Sequence, residues 1–334
     1  MNRADDDDAD MLLSVNLDQL RGFAEVALTG HFTRAAEQLH LAQPSLSRQI
    51  ATLERELGVE LFHRVRGNVA LTSAGERLLP LARRMLADAE TARSEMAEMA
   101  GLRRGRIRLG ATPTLCTSLV VDVLAEFHER YPGIDIEILE RGSRSLIAAL
   151  MEGALDLALI VTSVGAGEAR AVLDREPILS ERLVAVSAAD RPDPFAAAPD
   201  ETQRAVTIAE LAGVPQIVFP ENYDLRVAMD AAYRAAGLTP VVAVEGVEMD
   251  AALRFAERGI GVAVVPAMVA VDRPKLRATP LAGAALTRTV SLARRSDMAP
   301  THASAALQAM TREVADRLAA SGSATATLVS RVGG

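Results

Sequence analysis

Between residues 43 and 55 the sequence sets out Gln43, Ser45, Ser47, Arg48, Thr52 and Arg55 at intervals that suit one kind of chemistry, hydrogen bonding to a nucleic acid. A glutamine amide can pair with adenine and an arginine fork with guanine, while serine hydroxyls and first-turn amides suit phosphate oxygens. Leu46, Ile50, Leu53 and Leu57 are interleaved with them at spacings of four, three and four. On a helix those four share one narrow face, which must be core. At about 100° per residue, Pro44, Ser47, Arg48, Thr52 and Arg55 then project from the opposite side, with Gln43 and Ser45 flanking it near the helix start. Pro44 fits a first helical turn, where its missing N–H would be unpaired anyway. Gln43 before it is a poor N-cap and is free to reach outward. Taken singly, each polar residue is equally consistent with a solvated helix face. The combination is what argues for a reading surface.

The elements that must position this helix lie on either side of it. Residues 32–39 turn Phe32, Ala36 and Leu39 inward, and the small pair Ala35 and Ala36 lets a neighbouring helix approach closely, the packing of a helix-turn-helix. Thr33 and Arg34 on that segment are counted with the candidate DNA contacts. A helix over about 17–29 is expected to bury Leu17, Leu20, Phe23, Ala24, Ala27 and Leu28 in support. After Gly58, apolar runs on either side of a hairpin-like Gly67-Asn68 turn read as a two-stranded wing, with Arg64 and Arg66 near its tip facing a phosphate backbone or minor groove. Ser73-x-x-Glu76 has the form of a capping box opening a long helix. Along it Leu78, Ala82, Met85, Ala89, Ala92, Met96 and Met99 recur at alternating spacings of four and three. Such a seam is too narrow and too long for one chain to bury, so its natural partner is the same helix of a second copy. The competing reading, a helix lying on its own domain, is kept open by Pro80, which removes one backbone bond.

These residues resemble the LysR-type transcriptional regulators. The resemblance rests on Asn16-Leu17-Asp18-Gln19-Leu20, on Ala35-Ala36-Glu37-Gln38-Leu39, on Gln43-Pro44-Ser45-Leu46-Ser47-Arg48-Gln49-Ile50, and on Leu53-Glu54 with Leu57-Gly58. It continues through Leu61-Phe62 and Leu71-Thr72-Ser73-Ala74-Gly75. Two departures stand out: His31 occupies a place where the family often has a capping serine, and the wing tip Arg66-Gly67-Asn68 lacks a denser basic cluster. The resemblance implies an α/β protein with an N-terminal winged helix-turn-helix, a long linker helix and a two-lobed periplasmic-binding-protein-like effector domain. It also implies double-stranded promoter DNA, a small-molecule effector and RNA polymerase as partners, and dimers that pair into homotetramers.

With 334 residues and 49% apolar content the chain can bury two or three cores. Its net charge of −8 argues against a general nucleic-acid binder. Within 16–72, however, Arg21, Arg34, Arg48, Arg55, Arg64 and Arg66 balance Asp18, Glu25, Glu37, Glu54, Glu56 and Glu60. Binding then requires only that Arg48, Arg64 and Arg66 face the duplex while Glu54 and Glu60 do not. Lys275 is the only lysine, which reads as codon bias. The lone Cys116 excludes an intramolecular disulfide, no apolar run reaches membrane-spanning length, and Asp5 to Asp8 stand where a signal peptide needs positive charge. A cytoplasmic protein is expected. Residues 1–15 read as a disordered acidic extension, 16–72 as the DNA-binding domain, 73–100 as the linker helix and 101–105 as a hinge.

Beyond the hinge, strands alternate with helices over 106–318: strand Arg106–Gly110, helix Leu115–Arg130, strand Ile134–Glu140, helix Ser145–Glu152, strand Leu155–Val161. This predicts a parallel α/β lobe. Arg182–Val186 opens a second lobe, followed by a surface loop at 188–205 and a second α/β unit to Val265. Lobe I is expected to take about 106–176 and 267–318, lobe II about 177–266, and 319–334 a flexible tail. In such sheets ligands bind beyond the carboxyl ends of the strands. Thr112, Pro113 and Thr114 lie there, their hydroxyls and amides suited to an anion, although capping alone would explain one threonine. Thr162 and Ser163 end the third strand; Phe219 to Asn222 and Val247 with Glu248 end strands of the other lobe. A small polar or anionic effector is expected between them. Cys116 near this edge reads as a small buried residue more readily than as a redox centre.

Two other functional classes compete with a ligand-responsive regulator. An architectural DNA-binding dimer would use the head without an effector. An enzyme or transport-type solute-binding protein would use the α/β part. The five histidines show no metal-ligand spacing, Gly259-x-Gly261 enters a strand instead of a phosphate loop, and no catalytic constellation or cofactor site is legible.

Overall fold

The computed structural model describes residues 15–65, 68–99, 105–163, 173–196, 205–221, 223–271, 273–283, 286–320 and 327–332. The expectations for the 1–14 extension, for Arg66 and Gly67 at the wing tip, for hinge residues 101–104 and for Asn222 fall outside these. For Arg64, Thr162 and Ser163 the description extends to the backbone only. Two compact units divide after Leu102, with Ala148–Leu155 counted with the first.

The first unit begins with α1 (Leu17–Thr29), where Asn16 and Gln19 form a reciprocal capping box. α2 (Phe32–Gln38) and α3 (Gln43–Leu57) follow, then the hairpin β1 (Phe62–Val65) and β2 (Asn68–Leu71), then α4 (Ser73–Met99). Their common core gathers Leu20, Phe23, Val26, Ala35, Ala36, Leu46, Ile50, Leu53, Leu61, Phe62 and Ala82. Phe62 anchors the wing through ring contacts with Phe23 and Phe32. Leu17 and Leu28, expected in this core, are 42% and 69% exposed; the buried stripe of α1 runs through Gln19, Leu20, Phe23 and Val26 instead. Gln19 belongs to it because its amide donates to Glu56 of α3 at 3.0 Å.

Three local readings are corrected. The helix after the wing is capped by Thr72, whose hydroxyl accepts from Gly75 N–H at 3.1 Å and donates to the Glu60 carbonyl at 2.7 Å, so Ser73 is already the first helical residue. Asn68 pairs with Val65 across the hairpin and opens β2, so it is not a turn residue. The dimerisation seam also divides: Leu78 and Ala82 pack into the core of their own head, whereas Met85, Ala92 and Met96 are exposed and Ala89 is half-buried. A straight helix drifts relative to a strict heptad, and its first turns are claimed by the contact with α1.

The second unit has two lobes on one continuous sheet, ordered β4-β3-β5-β11-β6-β9-β7-β8. In lobe I, β3 (Gly105–Ala111), β4 (Ile134–Glu140) and β5 (Leu157–Ser163) run parallel, but β11 (Thr287–Arg295) is antiparallel to both its neighbours, β5 and β6, so the sheet is mixed. Its core joins Ile107, Leu109, Leu119, Val123 and Phe127 to Leu307, Met310 and Val314 of the last helix, His302–Ala319. The expected helix Leu115–Arg130 is broken into Pro113–Cys116 and Leu119–Arg130. The cause is local: the Ser118 hydroxyl donates to the Thr114 carbonyl at 2.7 Å, competing with the helical ladder.

β6 (Leu173–Ala188) extends well beyond the expected Arg182–Val186. Its first part pairs with β11 in lobe I, and from Leu183 onward it pairs with β9 (Val262–Pro266) and β10 (Leu276–Pro280) in lobe II. This moves the lobe boundary: β10 belongs to lobe II, and the chain returns to lobe I only at β11. Lobe II is completed by β7 (Pro215–Val218) and β8 (Val241–Glu245), with helices Asp224–Ala236 and Met249–Glu257. Phe195, in the segment read as a surface loop, is buried in the lobe II core with Leu183 and Val206. The tail expected to be flexible contains a further strand, Val329–Arg331, which pairs with β6 at Leu179–Glu181 and buries Val329.

Candidate nucleic-acid interface and effector site

Leu46, Ile50 and Leu53 are completely buried, and this fixes which side of α3 faces outward. Gln43, Pro44, Arg48 and Arg55 are exposed; Ser45, Ser47 and Thr52 are half-buried beside them. The helix cap is Ala42, not Gln43, and it makes no side-chain cap bond. Gln43 is thus the first helical residue, and its amide side chain is uncommitted to the helix. Among the described residues Arg48 makes one hydrogen bond, from Nε to the Pro44 carbonyl at 3.4 Å, a long one that a base or phosphate can displace. Thr33 and Arg34 are exposed at the start of α2.

Two features of this head were not visible in the pattern. Glu54 turns its carboxylate inward, accepting from Leu61 N–H at 2.9 Å and Phe62 N–H at 3.3 Å, so the acid removed from the reading face is the one that ties the wing to α3. His40 has φ of 54°, the left-handed conformation that usually calls for glycine. It reverses the chain between α2 and α3 while Leu41 N–H closes onto the Ala36 carbonyl at 2.8 Å.

At the strand ends of lobe I the structure brings together residues that are distant in sequence. Thr112 and Thr114 are both nearly buried, their hydroxyl oxygens 3.5 Å apart. Arg288, at the start of β11, donates from Nη1 to Thr114 Oγ1 at 2.8 Å and from Nε to Glu181 Oε2 at 2.7 Å. By register Arg288 lies between Ser163 of β5 and Glu181 of β6. Pro113 begins the short helix, partly exposed. In lobe II the expected residues separate. Phe219 is 3% exposed and belongs to the core, stacked on Tyr223 with centroids 5.3 Å apart, so its ring is not a lining group. Val247 packs against the same core. Glu248 is exposed and accepts from the Tyr223 hydroxyl at 2.8 Å. Burial, the bond to Glu248 and the nearby carboxylates of Glu248 and Glu140 raise the pKa of that phenol, so it remains a donor. Glu140 also acts on Cys116, whose thiol is pushed up to about 11, chiefly by burial. Such a thiol is protonated at neutral pH and is a poor nucleophile.

Arg288, Glu181, Tyr223 and Glu140 are the site residues that sequence reasoning missed. A separate cavity of about 390 Å³ in lobe I is lined by Arg294 and Arg312. Those arginines are already paired with Asp174 and Glu176, so they offer little free charge. Among the described residues no group of acids, histidines or cysteine is placed to hold a metal, and no helix is long and apolar enough to cross a membrane.

The fold and these two sites define a class: a winged helix-turn-helix head joined by a long helix to a two-lobed small-molecule-binding domain. Residues 17–76 match the bacterial regulatory helix-turn-helix protein model of the lysR family, and residues 100–316 match the LysR substrate binding domain. The chain belongs to the LysR family of transcriptional regulators. It is 30% identical over 282 residues to a probable nitrogen assimilation transcriptional activator of Synechococcus elongatus, covering 83% of this chain and 88% of that one. It is also 30% identical over 294 residues to the regulator IlvR of Caulobacter vibrioides, covering 86% and 95%. Among solved structures, full-length OxyR from Pseudomonas aeruginosa superposes with a TM-score of 0.67 at 25% identity, over 90% of this chain and 95% of that one. CbnR in complex with its target DNA superposes with a TM-score of 0.62 at 23% identity, over 91% and 99%, a likeness of fold. The chain is therefore a ligand-responsive DNA-binding regulator of transcription and not an enzyme.

Proposed function

We propose that the protein works in the cytoplasm as a homodimer, with dimers pairing into tetramers, on double-stranded promoter DNA. α3 enters the major groove; Gln43 and Arg48 read base edges while Ser45, Ser47, Thr52, Thr33 and Arg34 contact the backbone, with Arg64 and Arg66 of the wing alongside. The half of the α4 seam left exposed, Met85, Ala92 and Met96, supports pairing with a second copy. A small polar or anionic effector, held at Thr112 and Thr114 and closed over by lobe II through Tyr223 and Glu248, changes the arrangement of the heads and so the access of RNA polymerase. The effector needs only to bind one arrangement more tightly; a tenfold preference corresponds to about 1.4 kcal/mol.

The observation that carries this reading is the complete burial of Leu46, Ile50 and Leu53, which leaves Gln43, Pro44 and Arg48 outward. Its test is selection of binding sites from genomic DNA followed by gel shift. Arg48→Ala is expected to abolish site-specific binding, a loss of about 1–3 kcal/mol for the contact, while the melting curve stays unchanged. Undiminished specific affinity in that variant would exclude α3 as the reading helix.

A further inference from the structure

The Arg288–Glu181 pair is not bonded as such pairs usually are. An arginine and a carboxylate facing each other commonly share two parallel bonds. Here Glu181, fully buried, gives one oxygen to Arg288 Nε and turns the other to the Met268 amide, which donates at 2.7 Å. Arg288 Nη2 is consequently left buried with no acceptor among the described residues, while Nη1 of the same group rests on the Thr114 hydroxyl. A buried donor without a partner costs about 1–3 kcal/mol, so this arrangement is less stable than one in which an acceptor enters beside Thr114.

We infer that Arg288 is the specificity-determining residue of the effector site and that the effector it selects carries a carboxylate. This rests on the proposed cleft function and narrows its ligand class. The planar Nη1–Nη2 edge takes the two carboxylate oxygens as a fork, and the Thr114 hydroxyl, released from Nη1, donates to one of them. Glu181 keeps the guanidinium plane fixed through Nε. Because Glu181 lies where β6 passes from its lobe I partner to its lobe II partners, and because it holds the Met268 amide just beyond β9, movement of Arg288 toward the ligand is felt at the crossing between the lobes. A primary amide of the same shape, lacking the second acceptor and the charge, is excluded by the same fork.

The test uses the full chain and three acid–amide pairs, acetate with acetamide, benzoate with benzamide and succinate with succinamide, titrated by calorimetry to millimolar concentration. At least one acid is expected to bind and its amide not to. Affinity should fall tenfold or more in the double variant Arg288→Gln with Glu181→Gln, which removes both buried charges together, and comparably in Thr112→Val. DNA affinity without ligand should stay within twofold. If the double variant does not melt cooperatively, Arg288→Lys, which keeps the charge opposite Glu181 but loses the fork, takes its place with the same tenfold expectation. Loss in Thr112→Val with full affinity in the Arg288 variant overturns the assignment of Arg288 and leaves the cleft reading standing. Retention in both variants overturns the cleft reading as well. Binding of an amide as well as its acid, or of none of the acids, overturns the carboxylate assignment.

Discussion

The reading head and the effector site are built in opposite ways. Every group on the outward side of α3 comes from a single helical run, so one buried ridge places them all. The effector site takes Thr112 and Thr114 from one strand end, Glu181 from the middle of a long strand and Arg288 from another, with 174 residues between the two partners of its Thr114–Arg288 bond. A helix face is positioned by periodicity, whereas a cleft is positioned by topology. Damage should follow the same division: in the head, stability and function can be separated by moving one residue along α3, while in the cleft the recognising arginine is also half of a buried ion pair, so the two are entangled.

The largest expected effect sharpens this contrast. Ile50→Ala deletes a completely buried side chain in the α3 ridge and should cost about 2–5 kcal/mol of head stability, seen as a lowered urea midpoint, with DNA binding lost in proportion. Set beside Arg48→Ala, which should lose binding alone, it separates the two faces of one helix. Equal loss of stability in both would mean that the Arg48 side is packed. A smaller effect is expected on α4, where Met85 is 49% exposed and Ala82 fully buried. Met85→Glu should weaken the dimer about tenfold, or about 1.4 kcal/mol, with the head still folded, as read by sedimentation equilibrium. A dimer of undiminished affinity would place the interface elsewhere.

How much of this could be read from the sequence follows from the same difference. The ridge Leu46-Ile50-Leu53 needed only a count of spacings, and the helices Asp224–Ala236, Met249–Glu257 and His302–Ala319 were legible within a residue or two or from their apolar stripes. The seam on α4 was legible as a period but not as a division of labour, because nothing in the spacing says that α1 claims Leu78 and Ala82. β6 was recognised only where its apolar residues are continuous; its start, Asp174-Arg175-Glu176, carries charges that read as loop until Arg294 and Arg312 are seen to pair with them. Glu181 and Arg288 carried no local signal, since each is a lone charge in an apolar strand whose partner is fixed by the pairing of β6 with β11. Thr112 and Thr114 were found because a strand end is itself a local feature. Phe219 was misplaced for the same reason: it ends a strand, but its ring turns back onto Tyr223.

The smallest effect concerns Cys116, which shares the lobe I edge with Thr112 and Thr114. Its thiol is raised from 9.0 to about 11, by burial first and by Glu140 second. At neutral pH both the folded and unfolded chains hold that proton, so the residue contributes nothing to the pH dependence there. Above pH 9 the unfolded chain releases the proton while the folded one keeps it. Fewer protons are then bound in the unfolded state, and stability should fall as pH rises from about 9 towards 11. Cys116→Ser, which does not titrate in that range, should flatten that part of the curve, and iodoacetamide should label the native wild-type thiol far more slowly than the unfolded one at pH 8. Fast labelling of the native protein would mean that the strand-end groups of lobe I are open to water. In that case Nη2 of Arg288 would be solvated rather than orphaned, and the contrast between an exposed reading face and a closed effector site would fail at its second half.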